Sequence, residues 1–164
     1  MLRDKSLIPL SHQHQRALAL CVRIDRAQPI PEKDFAAWQT EIEQLFEQEI
    51  EIHFAAEENT VFPAARSFPK LIPLVKDLLS DHASLRTSFS QVQTGAVSSE
   101  SLSALAQQLS AHIRKEERQL FEGLQELMKP EDLARLGKQL ITALKDATHA
   151  CALPNEGTRL KTGK

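Results

Sequence analysis

The chain has 164 residues, 41% of them apolar, which suits one globular domain with a sizeable core rather than two domains. Its 20 Lys and Arg against 22 Asp and Glu leave a formal charge of -2 with no long single-sign block, which argues against nucleic-acid binding through a basic face. No apolar run approaches the ~18 residues of a membrane span, and MLRDKSLIPL lacks an apolar leader stretch, so a soluble cytoplasmic protein is expected.

Apolar residues recur at three- and four-residue intervals almost throughout, while strand alternation and Asn-Gly or Asp-Gly hairpin signals are missing. The chain is therefore expected to be all-α. Breaks at QPIP, SFPKLIP, QTGAVSS and Lys129-Pro130 predict helices near 9–27, 32–66, 70–92, 99–128 and 131–149. Short connections favour antiparallel neighbours, giving an up-down-up-down four-helix bundle with an additional C-terminal helix outside it or across one end. This domain is expected to span 1–150, with a disordered tail over 151–164.

The first helix offers two histidines about 200° apart around its axis, so only one can face inward. His14 keeps company with Leu7, Leu10, Ala17, Leu18 and Cys21, whereas His12 shares its face with Lys5, Gln15, Arg16 and Arg23. His14 is the inward one. The second helix carries HFAAEENTVF, with His53 and Glu57 four apart on a stripe with Phe46, Ile50 and Ala64. Pro63 follows and is expected to kink or end that helix. The third helix places His82 on the face of Leu71, Val75, Leu78, Leu85 and Phe89. The fourth repeats the pattern as HIRKEERQLF, with His112 and Glu116 interrupting a stripe of Leu105, Leu109, Leu120 and Leu127.

Imidazole and carboxylate on an apolar stripe are costly unless hydrogen-bonded or bound to an ion, and here the same interruption occurs twice. A single such histidine is more often a satisfied core residue; four on four helices are not. His14, His53, Glu57, His82, His112 and Glu116 are therefore expected to converge as metal ligands, a set that suits two ions bridged by both carboxylates. Iron fits mixed imidazole and carboxylate ligation best, and manganese or zinc also fit. Counted along the predicted helices, His82 and His112 fall at matching heights. His53, however, stands about eight residues too far from its helix start to match His14, so 32–39 is expected to overhang or to form a separate turn, covered by the fifth helix.

Other residues receive plainer readings. Cys21 and Cys151 form no C-x-x-C pair, and Cys21 reads as a small core residue. His12 and His149 read as surface residues, and Glu58 and Glu117 as solvated or salt-bridged, being rotated about 100° from the ligand glutamates. Glu49, one turn before His53, is the expected extra ligand or supporting partner, with Asp81 another carboxylate close by. Arg86 is expected to pair with a carboxylate. Ligand imidazoles must be neutral, so metal loss is expected as pH falls below the free-histidine value of about 6.5.

A histidine in the first helix, HFAAEENTVFP, the DH pair of the third helix and HIRKEERQLF together resemble the hemerythrin-like, or HHE cation-binding, family over roughly residues 9–128. The resemblance implies a non-haem di-iron centre, joined by an oxo or hydroxo bridge, that handles a small diatomic ligand or peroxide. It implies His14, His53, His82 and His112 as terminal ligands and Glu57 and Glu116 as bridges. Oxygen-carrying members have a paired His-x-x-x-His in the third helix, whereas here Leu78 and Arg86 stand four residues from His82. Each iron would then have about five ligands and an open position, which disfavours simple oxygen carriage. Binding or sensing of dioxygen, nitric oxide or redox state is expected. Peroxide reduction, iron oxidation, and iron storage or delivery are the alternatives.

Overall fold

The computed structural model describes residues 1–147 and 157–158. Five helices carry the described residues: α1 (Ile8–Arg26), α2 (35–66), α3 (Ile72–Thr94), α4 (99–127) and α5 (Pro130–Ala143). There is no strand among the described residues. Proline opens three of them: Pro9, Pro73 and Pro130 sit in first turns, where the missing N–H has no intrahelical partner to lose. α4 starts instead on a reciprocal cap, with Ser98 Oγ accepting from Ser101 N at 3.0 Å and Ser101 Oγ accepting from Ser98 N at 2.9 Å.

α1 lies along α4, and α3 packs on both α2 and α4. The apolar stripes meet in two clusters. One is built around Leu20, Ile24, Trp38, Ile42, Phe89, Leu102 and Ile113, the other around Leu10, Val61, Phe62, Leu78, Phe121 and Leu136. On each of α1 to α4 the sequence passes from one cluster to the other at the predicted polar positions, so a polar layer divides the core. None of the described helices is long and apolar enough to cross a membrane.

Three expectations change. Pro63 does not end α2, which continues to Arg66. The helix instead widens just before the proline into a π turn over Glu57–Val61, closed by Phe62 N–H on the Glu57 carbonyl. A matching π turn spans Glu116–Leu120 in α4, where there is no proline, so Pro63 is not its cause. A third widens α2 at Phe46–Ile50. The overhang at the start of α2 is real, but α5 does not cover it. Trp38, Ile42 and Leu45 are buried, the Gln39 amide donates to the carbonyls of Val92 and Gln93 at 2.6 and 3.0 Å, and the Arg23 guanidinium lies 5.6 Å from the Trp38 ring while pairing with Glu41. The ends of α1 and α3 therefore cover it, and the 3-10 turn Glu32–Asp34 precedes it. Finally, α5 stops at Ala143 rather than 149, because its buried stripe of Leu133, Leu136 and Leu140 ends there and Ile141 faces outward. Residues 148–149, with His149 among them, and most of the predicted tail lie outside the described residues.

α5 packs on the 51–61 part of α2, at the polar layer. A close approach holds it there: a Cβ added at Gly137 would stand 2.7 Å from Ser6 Cβ and 2.9 Å from Ser6 Cα. Gly137→Leu is therefore expected to force α5 off the N-terminal segment and to lower stability by about 1–3 kcal/mol, read as a lower denaturant midpoint.

Candidate metal centre

His14 is buried and His12 is exposed, as their company on α1 requires. His53, Glu57, His82, His112 and Glu116 are buried as well, and all six predicted residues meet in the polar layer. They form two groups. His14, His53, Glu57 and Glu116 place ligand atoms within 4.8 Å of one another, and so do Glu57, His82, His112 and Glu116. Both carboxylates belong to both groups. Glu57 sets Oε1 3.3 Å from His53 Nε2 and Oε2 3.4 Å from His82 Nε2. Glu116 sets Oε2 3.2 Å from His14 Nε2 and Oε1 3.2 Å from His112 Nε2. Within each group the two imidazole Nε2 atoms face each other, at 3.0 Å for His14 and His53 and 3.1 Å for His82 and His112.

None of the four oxygens of Glu57 and Glu116 has a directed hydrogen bond, although both residues are fully buried. Two carboxylates stripped of water and of donors are among the most unfavourable groups a core can hold. Cations remove the penalty. Ligand atoms held ~2.0–2.2 Å from an ion stand about 3.0–3.4 Å apart, for octahedral or tetrahedral angles respectively. In each group the imidazole–imidazole separation and one carboxylate contact of each imidazole lie in that range, at 3.0–3.4 Å, as they would around a shared ion. The donor set of imidazole and carboxylate suits iron, manganese or zinc.

Protons are the other available cations. Burial pulls the His14 pKa down, but the carboxylates of Glu116 and Glu117 outweigh it and raise His14 to about 9. Burial likewise opposes protonation of His82, and Glu116 and Glu57 raise it to about 10. For Glu116 burial acts upward and loses to His112, His14 and His82, which hold its carboxyl well below the usual range. Glu57 is lowered in the same sense, against burial and Glu116, by His53 and His82.

The outward nitrogen of every imidazole is also occupied. His14 Nδ1 meets Glu117 Oε1 at 2.7 Å, His53 Nδ1 meets Gln13 Oε1 at 2.7 Å, His82 Nδ1 meets Glu58 Oε1 at 2.8 Å, and His112 Nδ1 meets Asp81 Oδ2 at 3.4 Å. An acceptor at Nδ1 puts the neutral ring's proton there and aims the Nε2 lone pair inward, as metal ligation requires. The acceptors are steadied from the surface: Arg3 pairs with Glu117 at 2.7 Å, Arg86 with Glu58 at 2.7 Å, and Lys115 with Asp81 at 2.7 Å. Arg86 also pairs with Glu51.

The doubled motif now has a physical reading: Glu58 and Glu117 are salt-bridged as expected, to Arg86 and Arg3, and each also holds a histidine of the layer. In each copy the histidine and first glutamate point into the polar layer. The second glutamate bonds the single histidine of a neighbouring helix, and the motif phenylalanine packs on that same ring, Phe62 on His82 at 5.2 Å and Phe121 on His14 at 5.5 Å. Uniform helical rotation turns the second glutamate away. The π turns that begin at Glu57 and Glu116 break that uniformity, broadening the face so that consecutive glutamates both serve the layer. Gln13, adjacent to His14 as Asp81 is to His82, was missed altogether. The only hint was its place beside an inward histidine. Glu117→Ala should weaken metal binding about 10–100-fold by freeing the His14 ring, a loss measurable by chelator competition.

The hemerythrin HHE cation-binding domain matches residues 9–124, well over half of the chain. The chain belongs to the hemerythrin HHE cation-binding family. Comparison with curated proteins and with solved structures returned no match. The hemerythrin match takes in all six converging residues and the partners Gln13, Glu58, Asp81 and Glu117, but not α5. Cation binding by this hemerythrin domain thus has family and geometry behind it. Cys21 takes no part: it is buried, and burial pushes its thiol up to about 12, which leaves it unreactive at neutral pH.

Proposed function

We propose that the chain holds two non-haem irons inside an up-down-up-down four-helix bundle and uses them to bind or sense dioxygen, nitric oxide or redox state. His14 and His53 would hold one iron, His82 and His112 the other, and Glu57 and Glu116, which belong to both groups, would be shared between them. The observation that carries this reading is the set of four buried carboxylate oxygens without hydrogen bonds, each facing an imidazole Nε2. When bound, iron supplies one-electron chemistry and open coordination positions. The protein holds the imidazoles in one tautomer, excludes bulk water and sets both carboxylates astride the pair.

Turnover, as peroxide reduction or iron oxidation, is a second reading with its own support. Leu78 is buried in the apolar core and Arg86 is committed to Glu51 and Glu58, so α3 offers no second imidazole to close a position. We place the protein in the cytoplasm, where Cys21 stays a thiol.

Anaerobic reconstitution with ferrous iron tests the proposal. Two irons per chain and new charge-transfer bands on admitting oxygen are expected. Bands that reverse on degassing indicate binding, and bands that persist until reductant is added indicate sensing or turnover. Fewer than one iron with no spectral change would sink the di-iron reading.

A further inference from the structure

A cavity of about 20 Å³ lies against the polar layer between α1, α2 and α4. Three of the four layer imidazoles line it, those of His14, His53 and His112, and with them Glu49. The other walls are mainly apolar, among them Ala17, Leu45, Ile50 and Leu109. That space admits about one water or a molecule of two heavy atoms. The cavity touches both groups of ligand atoms, which no other cavity described in the structure does.

Glu49 is the unusual wall. It is 1% exposed, and its Oε1 accepts a hydrogen bond from Arg16 Nε at 2.8 Å and lies 2.5 Å from Nη2 of the same guanidinium. Its Oε2 is buried with no hydrogen-bond partner. Glu49 belongs to neither group of converging ligand atoms, so direct ligation does not account for that oxygen. A buried carboxylate oxygen without a donor is strongly unfavourable, and the cavity that Glu49 lines is the nearest space where a donor can stand.

We propose that this cavity is the ligand pocket of the metal centre and that Glu49 makes it select small molecules carrying an O–H, hydrogen peroxide foremost, over dioxygen and nitric oxide. The inference rests on the di-iron reading above and names the ligand class for it. A water standing in the pocket donates to Glu49 Oε2. A ligand that displaces this water keeps the bond only if it also donates, and peroxide does. Dioxygen and nitric oxide have no hydrogen to give and leave the carboxylate unsatisfied. The apolar remainder of the wall offers larger polar ligands nothing.

The test uses the full chain loaded with iron, as wild type, Glu49→Leu and Ala17→Leu. Iron per chain is counted first. Peroxide is then titrated into the oxidised protein and nitric oxide into the reduced protein, each followed optically. In Glu49→Leu the peroxide concentration for half the change should rise about tenfold to a hundredfold, while nitric oxide moves less than about threefold and iron stays at two. Ala17→Leu fills the cavity from α1, leaves Glu49 in place, and should weaken both ligands at unchanged iron content. If Glu49→Leu does not fold, Glu49→Gln takes its place: the amide oxygen keeps the Arg16 bond and the amide N–H replaces the bare acceptor, so the preference for peroxide over nitric oxide should narrow about tenfold. Two irons with an unaltered peroxide response in both variants, or an equal loss of peroxide and nitric oxide in Glu49→Leu, overturns the pocket assignment. A wild-type count below two overturns the di-iron reading itself.

Discussion

Glu116→Ala is expected to strip both irons, whereas His53→Ala leaves about one. The difference follows from sharing: each glutamate sends one oxygen to each group of ligand atoms, while each histidine serves one group. Removing Glu116 leaves two imidazoles and a single Glu57 oxygen at each position, too few donors to hold an ion against water. Removing His53 leaves the group of Glu57, His82, His112 and Glu116 whole. Metal analysis after dialysis, with near-ultraviolet circular dichroism to verify packing, separates the outcomes. Equal losses in the two variants would mean that the carboxylates are not shared.

Metal uptake should release about two protons per chain near neutral pH, and affinity should keep rising with pH to about 9. Sequence alone suggested competition from protons only below about 6.5. The structure moves it upward, because without metal the buried carboxylates raise His14 to about 9 and His82 to about 10. The same shifts govern metal-free stability, with opposite signs for histidines and carboxylates. A raised histidine contributes stability that is fully present below its unfolded value of 6.5 and is lost as pH rises through 9 to 10. Glu117, which burial would raise but which His14 and Ser11 hold at about 2, contributes stability present above 4.5 and lost as pH falls toward 2. The metal-free protein should therefore be most stable between about 4.5 and 6.5 and lose a few kcal/mol by pH 10. The metal-loaded protein should not follow it on the alkaline side. Urea denaturation at several pH values, with and without metal, and proton release in weakly buffered dye solution measure both effects. A metal affinity that levels off above pH 6.5 would refute the raised histidines.

The helices and the ligand face were legible because burial writes its period into the sequence. His14 could be chosen over His12 by its apolar neighbours alone, and the His53 and Glu57 pair by four-residue spacing. What surrounds them was legible only in part: Asp81 nearby and a carboxylate partner for Arg86 were expected, whereas the roles of Glu58, Glu117 and Gln13 were not. The π turns redirect Glu58 and Glu117 toward His82 and His14, and no residue pattern distinguishes those turns from ordinary helix. Gln13 acts only through a contact between two helices, which spacing along one helix cannot reveal. The covering of 35–45 by the ends of α1 and α3 was hidden for the same reason: Gln39 and Val92 lie far apart in sequence.

The two copies of the motif are cross-laced. Glu58 of the first half holds His82 of the second, and Glu117 of the second holds His14 of the first. A hairpin of α1 and α2 alone would keep His53 and Glu57 but lose the partner that aims His14, and the other hairpin would lose the partner of His82. Neither half is then a small version of the whole. Duplication of such a hairpin is expected to give a complete set of supported ligands only once both halves are present. Exchange of metal with solvent should accordingly keep time with opening of the bundle rather than with ligand strength.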